Sequence, residues 1–138
     1  MALVVVMLVL LMMGAVEFGR AFMVANMITN AARDGARAAA LVPPSARPTA
    51  GIISNGDKNV ICGQMAADIA NVLGAGYCGT TCDPSCGSAL CMDIVQSAGG
   101  VDPPLVQATV TGNVPYIFNF VGTGFDVNRS VSFRDEGR

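Results

Sequence analysis

The chain of 138 residues is long enough for one domain and too short for a second independent core. Only 13% of its residues are charged and 52% are hydrophobic, against ~25% charged in an ordinary soluble domain, so something other than water must cover part of its surface. A net charge of -2, a single lysine (Lys58) and the absence of histidine leave no basic stripe for a phosphate backbone and remove the commonest general base and metal ligand. Nucleic-acid binding and most hydrolytic or metal-dependent chemistries are thereby set aside.

Residues 1–16 are uninterruptedly apolar, and Glu17 and Arg20 are the only charged side chains before Arg33. A helix through residue 28 reaches roughly 40 Å, more than the ~30 Å hydrocarbon core of a bilayer. Glu17 and Arg20, three apart on such a helix, are neighbours on one face and are expected to pair. With no basic segment ahead of the apolar run and no break after it, the pattern predicts a retained helix rather than a cleaved signal. Good helix formers continue to Pro43 and Pro44, giving one helix of about 40 residues, roughly 60 Å long, over residues 1–42. A rod of that length and apolarity asks for a bundle, in which Gly14, Gly19, Ala25, Ala31, Ala32, Gly35 and Ala36 allow close approach. The plainer alternative is a membrane anchor in which these small residues carry no special role.

The remainder, residues 43–138, reads as an extracytoplasmic α+β head. Residues 43–57, rich in Pro, Gly, Ser and Asn, form a connecting loop. Val60, Ile61, Met65, Ile69, Val72 and Leu73 recur at helical spacing and predict an amphipathic helix over about 58–74, ending at Gly74 or Gly76. Strands follow at about 92–96, 105–114 and 125–134. Val106, Ala108, Val110 and Val114 alternate with polar residues in the second, and Phe125, Val127, Val131 and Phe133 in the third, with Arg129 a misfit on its inner face. The expectation is a small antiparallel sheet with one face on the helices.

Five cysteines, Cys62, Cys78, Cys82, Cys86 and Cys91, concentrate in a Cys-rich loop at 77–91. A c-type haem site needs a histidine that the chain lacks. Gaps of three, three and four residues between the last four cysteines do not match the paired knuckles of a four-thiolate zinc or iron–sulfur site. Disulfides in an oxidising compartment fit a small Gly-rich loop with little core of its own. One thiol is left over, either buried and inert or available to cross-link subunits. The cysteines place the head outside the cytoplasm, whereas the positive-inside rule would hold Arg20, Arg33 and Arg37 inside. A basic leader removed from ahead of Met1 would reconcile the two. Asp83, Asp93 and Asp102 are scattered at spacings that predict no shared site, so no enzymatic activity and no cofactor is expected.

The run LVVVMLVLLMMGAVEFGRAFMVANMITNAARDGARAAA resembles the N-terminus of TadE/TadG-like pilin-related proteins of the bacterial tight-adherence system, within the wider type IV pilin group. An apolar helix leads into Glu17-Phe18-Gly19-Arg20 and then Ala31-Ala32-Arg33-Asp34-Gly35-Ala36-Arg37. The tail, closing on Arg134 and Glu136, is similar to the family's C-terminal strands. The resemblance implies a pilin or pseudopilin subunit that starts in the inner membrane and is drawn into an extracellular adhesive filament, a fimbrium. Its partners would be copies of itself, the inner-membrane assembly machinery and a prepilin peptidase, with no nucleic acid. Glu17 and Arg20 would then fix axial register between subunits or lie as a pair at the lipid headgroups, and Arg33, Asp34 and Arg37 would make subunit contacts or form a solvated face. Prepilins of this group carry a glutamate just past the cleavage point, and residues 1–16 contain none.

Overall fold

A computed structural model describes residues 2–43, 52–97, 105–118 and 122–135. Helix α1 runs unbroken from Ala2 to Ala40, because nothing in its sequence interrupts a run of good helix formers. It closes with the Leu41 N–H shared between the carbonyls of Arg37 and Ala38, just ahead of Pro43. Most of the loop expected over 43–57 lies outside the described residues. Helix α2 spans Asn55–Leu73 and begins three residues earlier than the apolar spacing suggested. Its start is set by a cap: the Ser54 hydroxyl accepts from Asp57 N–H at 3.1 Å and donates to the Asp57 carboxylate at 2.7 Å. Gly74, at φ 97°, ends it.

Four strands follow: β1 (Cys78–Cys82), β2 (Leu90–Gln96), β3 (Leu105–Pro115) and β4 (Gly124–Arg134). They form one sheet in the order β1-β2-β3-β4. The three anticipated strands pair antiparallel, with Met92 opposite Val110 and Val110 opposite Arg129. The expectation of an all-antiparallel sheet is corrected by β1, which forms inside the segment read as a Cys-rich loop and pairs parallel to β2 with an irregular register. CGTTC has no apolar alternation, so only its neighbours make it a strand. The head is thus α+β with a mixed sheet, and β2 begins two residues before its expected start.

The core is built from α2, the sheet and the second half of α1. Val24, Ile28, Ala31, Ala32, Ala36 and Ala39 are buried on one face of α1, and Ile61, Cys62, Met65, Ala66 and Ile69 on one face of α2. Of the apolar positions expected on α2, Val60 and Val72 are exposed, and Cys62 and Ala66 take their places. All four inward residues of β3 are buried as expected. On the edge strand β4 only Val127 is fully covered, and Arg129 points to solvent. The head therefore does not begin at residue 43 as a packing unit, since the core reaches back along α1 to Val24.

Gly35 sits where α1 meets α2. A Cβ there would strike the Met65 side chain at Sδ and Cγ, so the residue that weakens the helix permits the two axes to approach. Gly112 plays the same part between strands: a Cβ would run into the Ala89 carbonyl, which instead accepts from Asn113 N–H at 2.9 Å.

Candidate functional site

The residues singled out in α1 divide along its length. From Leu3 to Met12 every large side chain is exposed, none less than 47%, and the apolar surface continues through Val16, Phe18, Phe22 and Met23. Among the described residues nothing lies within 4 Å of a would-be Cβ at Gly14 or Gly19, which leaves both open to a neighbour. Gly35 is already occupied by Met65. Arg33, Asp34 and Arg37 are exposed. Arg37 lines a surface cleft of about 260 Å³ with Leu41, Phe133 and Arg134.

Glu17 and Arg20 do not pair with each other. Arg20 Nη1 donates to the Pro115 carbonyl at 2.8 Å, and the Phe118 backbone N–H donates to Glu17 Oε1 at 2.5 Å. The helical spacing placed both on one face, but that face meets the turn leaving β3, whose backbone offers each charge a partner of the right polarity. The second carboxylate oxygen, Glu17 Oε2, is buried and has no hydrogen-bond partner among the described residues. Sequence reasoning missed Pro115 and Phe118 because main-chain groups carry no residue signature. The available hint was the apolar cluster Pro115-Tyr116-Ile117-Phe118, placed where a polar turn is the norm.

The cysteines resolve into two bridges and one thiol. Cys62–Cys82 ties α2 to β1 and Cys86–Cys91 closes the turn into β2. Cys78 is the free one; it is half-buried, and burial pushes its thiol above the ordinary cysteine value. It is therefore a weak nucleophile at neutral pH.

Two carboxylates that the sequence left unrelated share a site. Asp83 and Asp93 line a polar cleft of about 360 Å³ with Lys58, Asn55 and Asn59. The cleft exists because the Cys62–Cys82 bridge and the hydrogen bond from Cys82 N–H to Asn59 Oδ1, 3.1 Å, hold β1 against the start of α2. Among the described residues no cluster of three or more His, Cys, Asp or Glu is arranged to hold a metal. Asp102 and Glu136 lie outside the described residues.

These features define a class: a small disulfide-bonded α+β head carried on an apolar helix, Leu3–Ala40, which contains an 18-residue stretch of mean hydropathy 2.1 and is by length and composition capable of a membrane crossing. Such a helix is consistent with membrane association. Residues 1–37 match the model of the TadE-like protein family, so the stalk of the chain is similar to that of TadE-like proteins. The match covers the stalk and stops short of α2 and the sheet. No curated protein and no solved structure matches the chain.

Proposed function

We propose that the chain is a non-catalytic structural subunit, a pilin or pseudopilin, held in the bacterial inner membrane by α1 and then packed through α1 into an extracellular attachment filament. The observation that carries this reading is the division of α1. Its second half supplies core to the head, while Leu3–Met12, wholly apolar, is exposed throughout with respect to the described residues. Copies of the same helix, laid side by side, would cover that surface, and Gly14 and Gly19 leave room for close contact. The assembly machinery and a prepilin peptidase are the further partners that this role requires.

A second reading has the same surface in permanent contact with lipid, the chain acting as a minor assembly factor or a non-polymerising single-pass protein with a binding head. Electron microscopy of material sheared from producing cells, with mass spectrometry of the purified fraction, separates the two. Filaments built mainly of this chain are expected. Recovery of the chain from membranes alone would overturn polymerisation and favour the second reading. Placing a charge at the outward Val9 (Val9→Asp) is expected to abolish filaments while the head stays folded.

A further inference from the structure

The apolar surface of α1 does not stop at its first charges. Val16, Phe18, Phe22 and Met23 are each more than half exposed, with Phe18 and Phe22 on the side of the helix away from Glu17 and Arg20. Counted to Val16, the stretch from Leu3 is about 21 Å long; counted to Met23 it is about 31 Å, which matches a ~30 Å hydrocarbon core. A span that ends at Met23 carries Glu17 about 9 Å and Arg20 about 5 Å inside the layer's edge. Charges there must be hydrogen-bonded, because lipid offers no substitute for water.

The protein brings the partners down to them. The turn leaving β3 descends alongside α1, so that Arg20 is met by the Pro115 carbonyl and Glu17 by the Phe118 N–H. What that turn shows to its surroundings is itself apolar. Ile117 is 56% exposed, and Tyr116 and Phe118 line, with Glu17, Phe18 and Ala21, a cavity of about 180 Å³. A soluble hairpin places polar residues at such a tip. Tyrosine, as at Tyr116, is instead characteristic of the membrane–water boundary, where its apolar ring and polar hydroxyl are both satisfied, and Ile117 and Phe118 suit the apolar side of it.

We propose that residues 115–118, leaving β3, dip into the phospholipid bilayer beside α1, capping Glu17 and Arg20 with their backbone and presenting Tyr116, Ile117 and Phe118 to lipid. The proposal rests on the reading of α1 as a membrane span. The head is then seated on the membrane at two points rather than swinging from one.

The chain has no tryptophan, so single tryptophans report without background. Full-length Ile117→Trp, Leu8→Trp and Val60→Trp, all at exposed positions, are reconstituted into phosphatidylcholine–phosphatidylglycerol vesicles, with lipid brominated either near the carbonyl end of the acyl chain or near its terminus. Ile117→Trp is expected to emit at shorter wavelength than Val60→Trp and to lose roughly half its intensity to the shallow bromines. Leu8→Trp should respond to the deep bromines and Val60→Trp to neither. If Leu8→Trp is quenched but Ile117→Trp behaves like Val60→Trp, the dipping turn is overturned while the span stands. Without quenching of Leu8→Trp the span itself fails, and the proposal with it. A blue-shifted but unquenched Ile117→Trp would mean that a second copy of the chain covers the turn, and also overturns the proposal.

Discussion

Removing the Cys62–Cys82 bridge should cost the head more than removing Cys86–Cys91, and the difference follows from what each bridge closes. The first joins residues 20 apart and the second residues 5 apart. The chain-entropy relation gives about 3 kcal/mol for the longer loop and about 2 kcal/mol for the shorter. The longer bridge also pins β1, whose sheet contact is only an irregular parallel pairing on one side, and Cys62 is fully buried in the core. Its loss therefore adds a packing term to the entropic one, where the shorter bridge only tightens a surface turn. The variants are Cys62→Ala/Cys82→Ala and Cys86→Ala/Cys91→Ala; paired replacement prevents Cys78 from forming a new bridge with an orphaned partner. Urea titration of the full chain in nonionic micelles, read by pulse proteolysis, gives each midpoint. A loss of at least 3 kcal/mol is expected for the first pair, a substantial part of the ~5–15 kcal/mol that holds a domain together, with early exchange of β1 amides. Equal losses for the two pairs, or protected β1 amides without the longer bridge, would refute the reasoning.

Other perturbations test separate contacts. Gly35→Ala, which in an open helix would gain about 1 kcal/mol, should instead destabilise by about 1–2 kcal/mol because Met65 must move; in a Met65→Ala background the penalty should vanish, and an additive double mutant would show that the two residues do not press on each other. Gly112→Ala is expected to cost about 2–3 kcal/mol, since its Cβ meets the backbone of Ala89 and Leu90 rather than a movable side chain; a near-neutral melt would contradict that approach. Ser85 donates to the Asp83 carboxylate from its backbone N–H at 2.8 Å and its hydroxyl at 2.9 Å, and these bonds hold the Asp83 pKa below the ordinary aspartate value. Because the folded value lies below the unfolded one, the contribution is present above the unfolded pKa and is lost as pH falls through the folded one. The NMR titration midpoint of Asp83 should rise in Ser85→Ala, and an unmoved midpoint would exclude the hydroxyl bond.

The parts of the fold that the sequence made legible are those where periodicity and burial coincide. The alternation Val106, Ala108, Val110 marks a strand that is buried on one face. The α1 stretch is too uniformly apolar and alanine-rich to be anything but helix. That same uniformity hid which of its faces turns inward and how far the head's core climbs along it, because Ala25 and Ala36 look alike in sequence yet only Ala36 is fully buried. Strand β1 was illegible because its conformation comes from a bridge to α2 and from the edge of β2, not from its own residues. The contacts that Glu17 and Arg20 make within the chain were half legible. Spacing put them on one face, and only the long-range descent of residues 115–118 determined what they touch.

The unbroken passage of α1 from its bare half into the head has a mechanical consequence. A pull applied along residues 2–23 does not arrive at a loop that could stretch or a strand that could be unzipped one hydrogen bond at a time. It arrives along the axis of a helix whose far half is gripped by α2 on one side and by β3 and β4 on another, and so loads those contacts in shear, all at once. The Arg20 and Glu17 bonds to the turn after β3 lie at the point where that load first enters the head. Resistance to extraction should accordingly be set by the fit of Ile28, Ala32, Ala36 and Ala39 against their neighbours, and should yield abruptly rather than gradually.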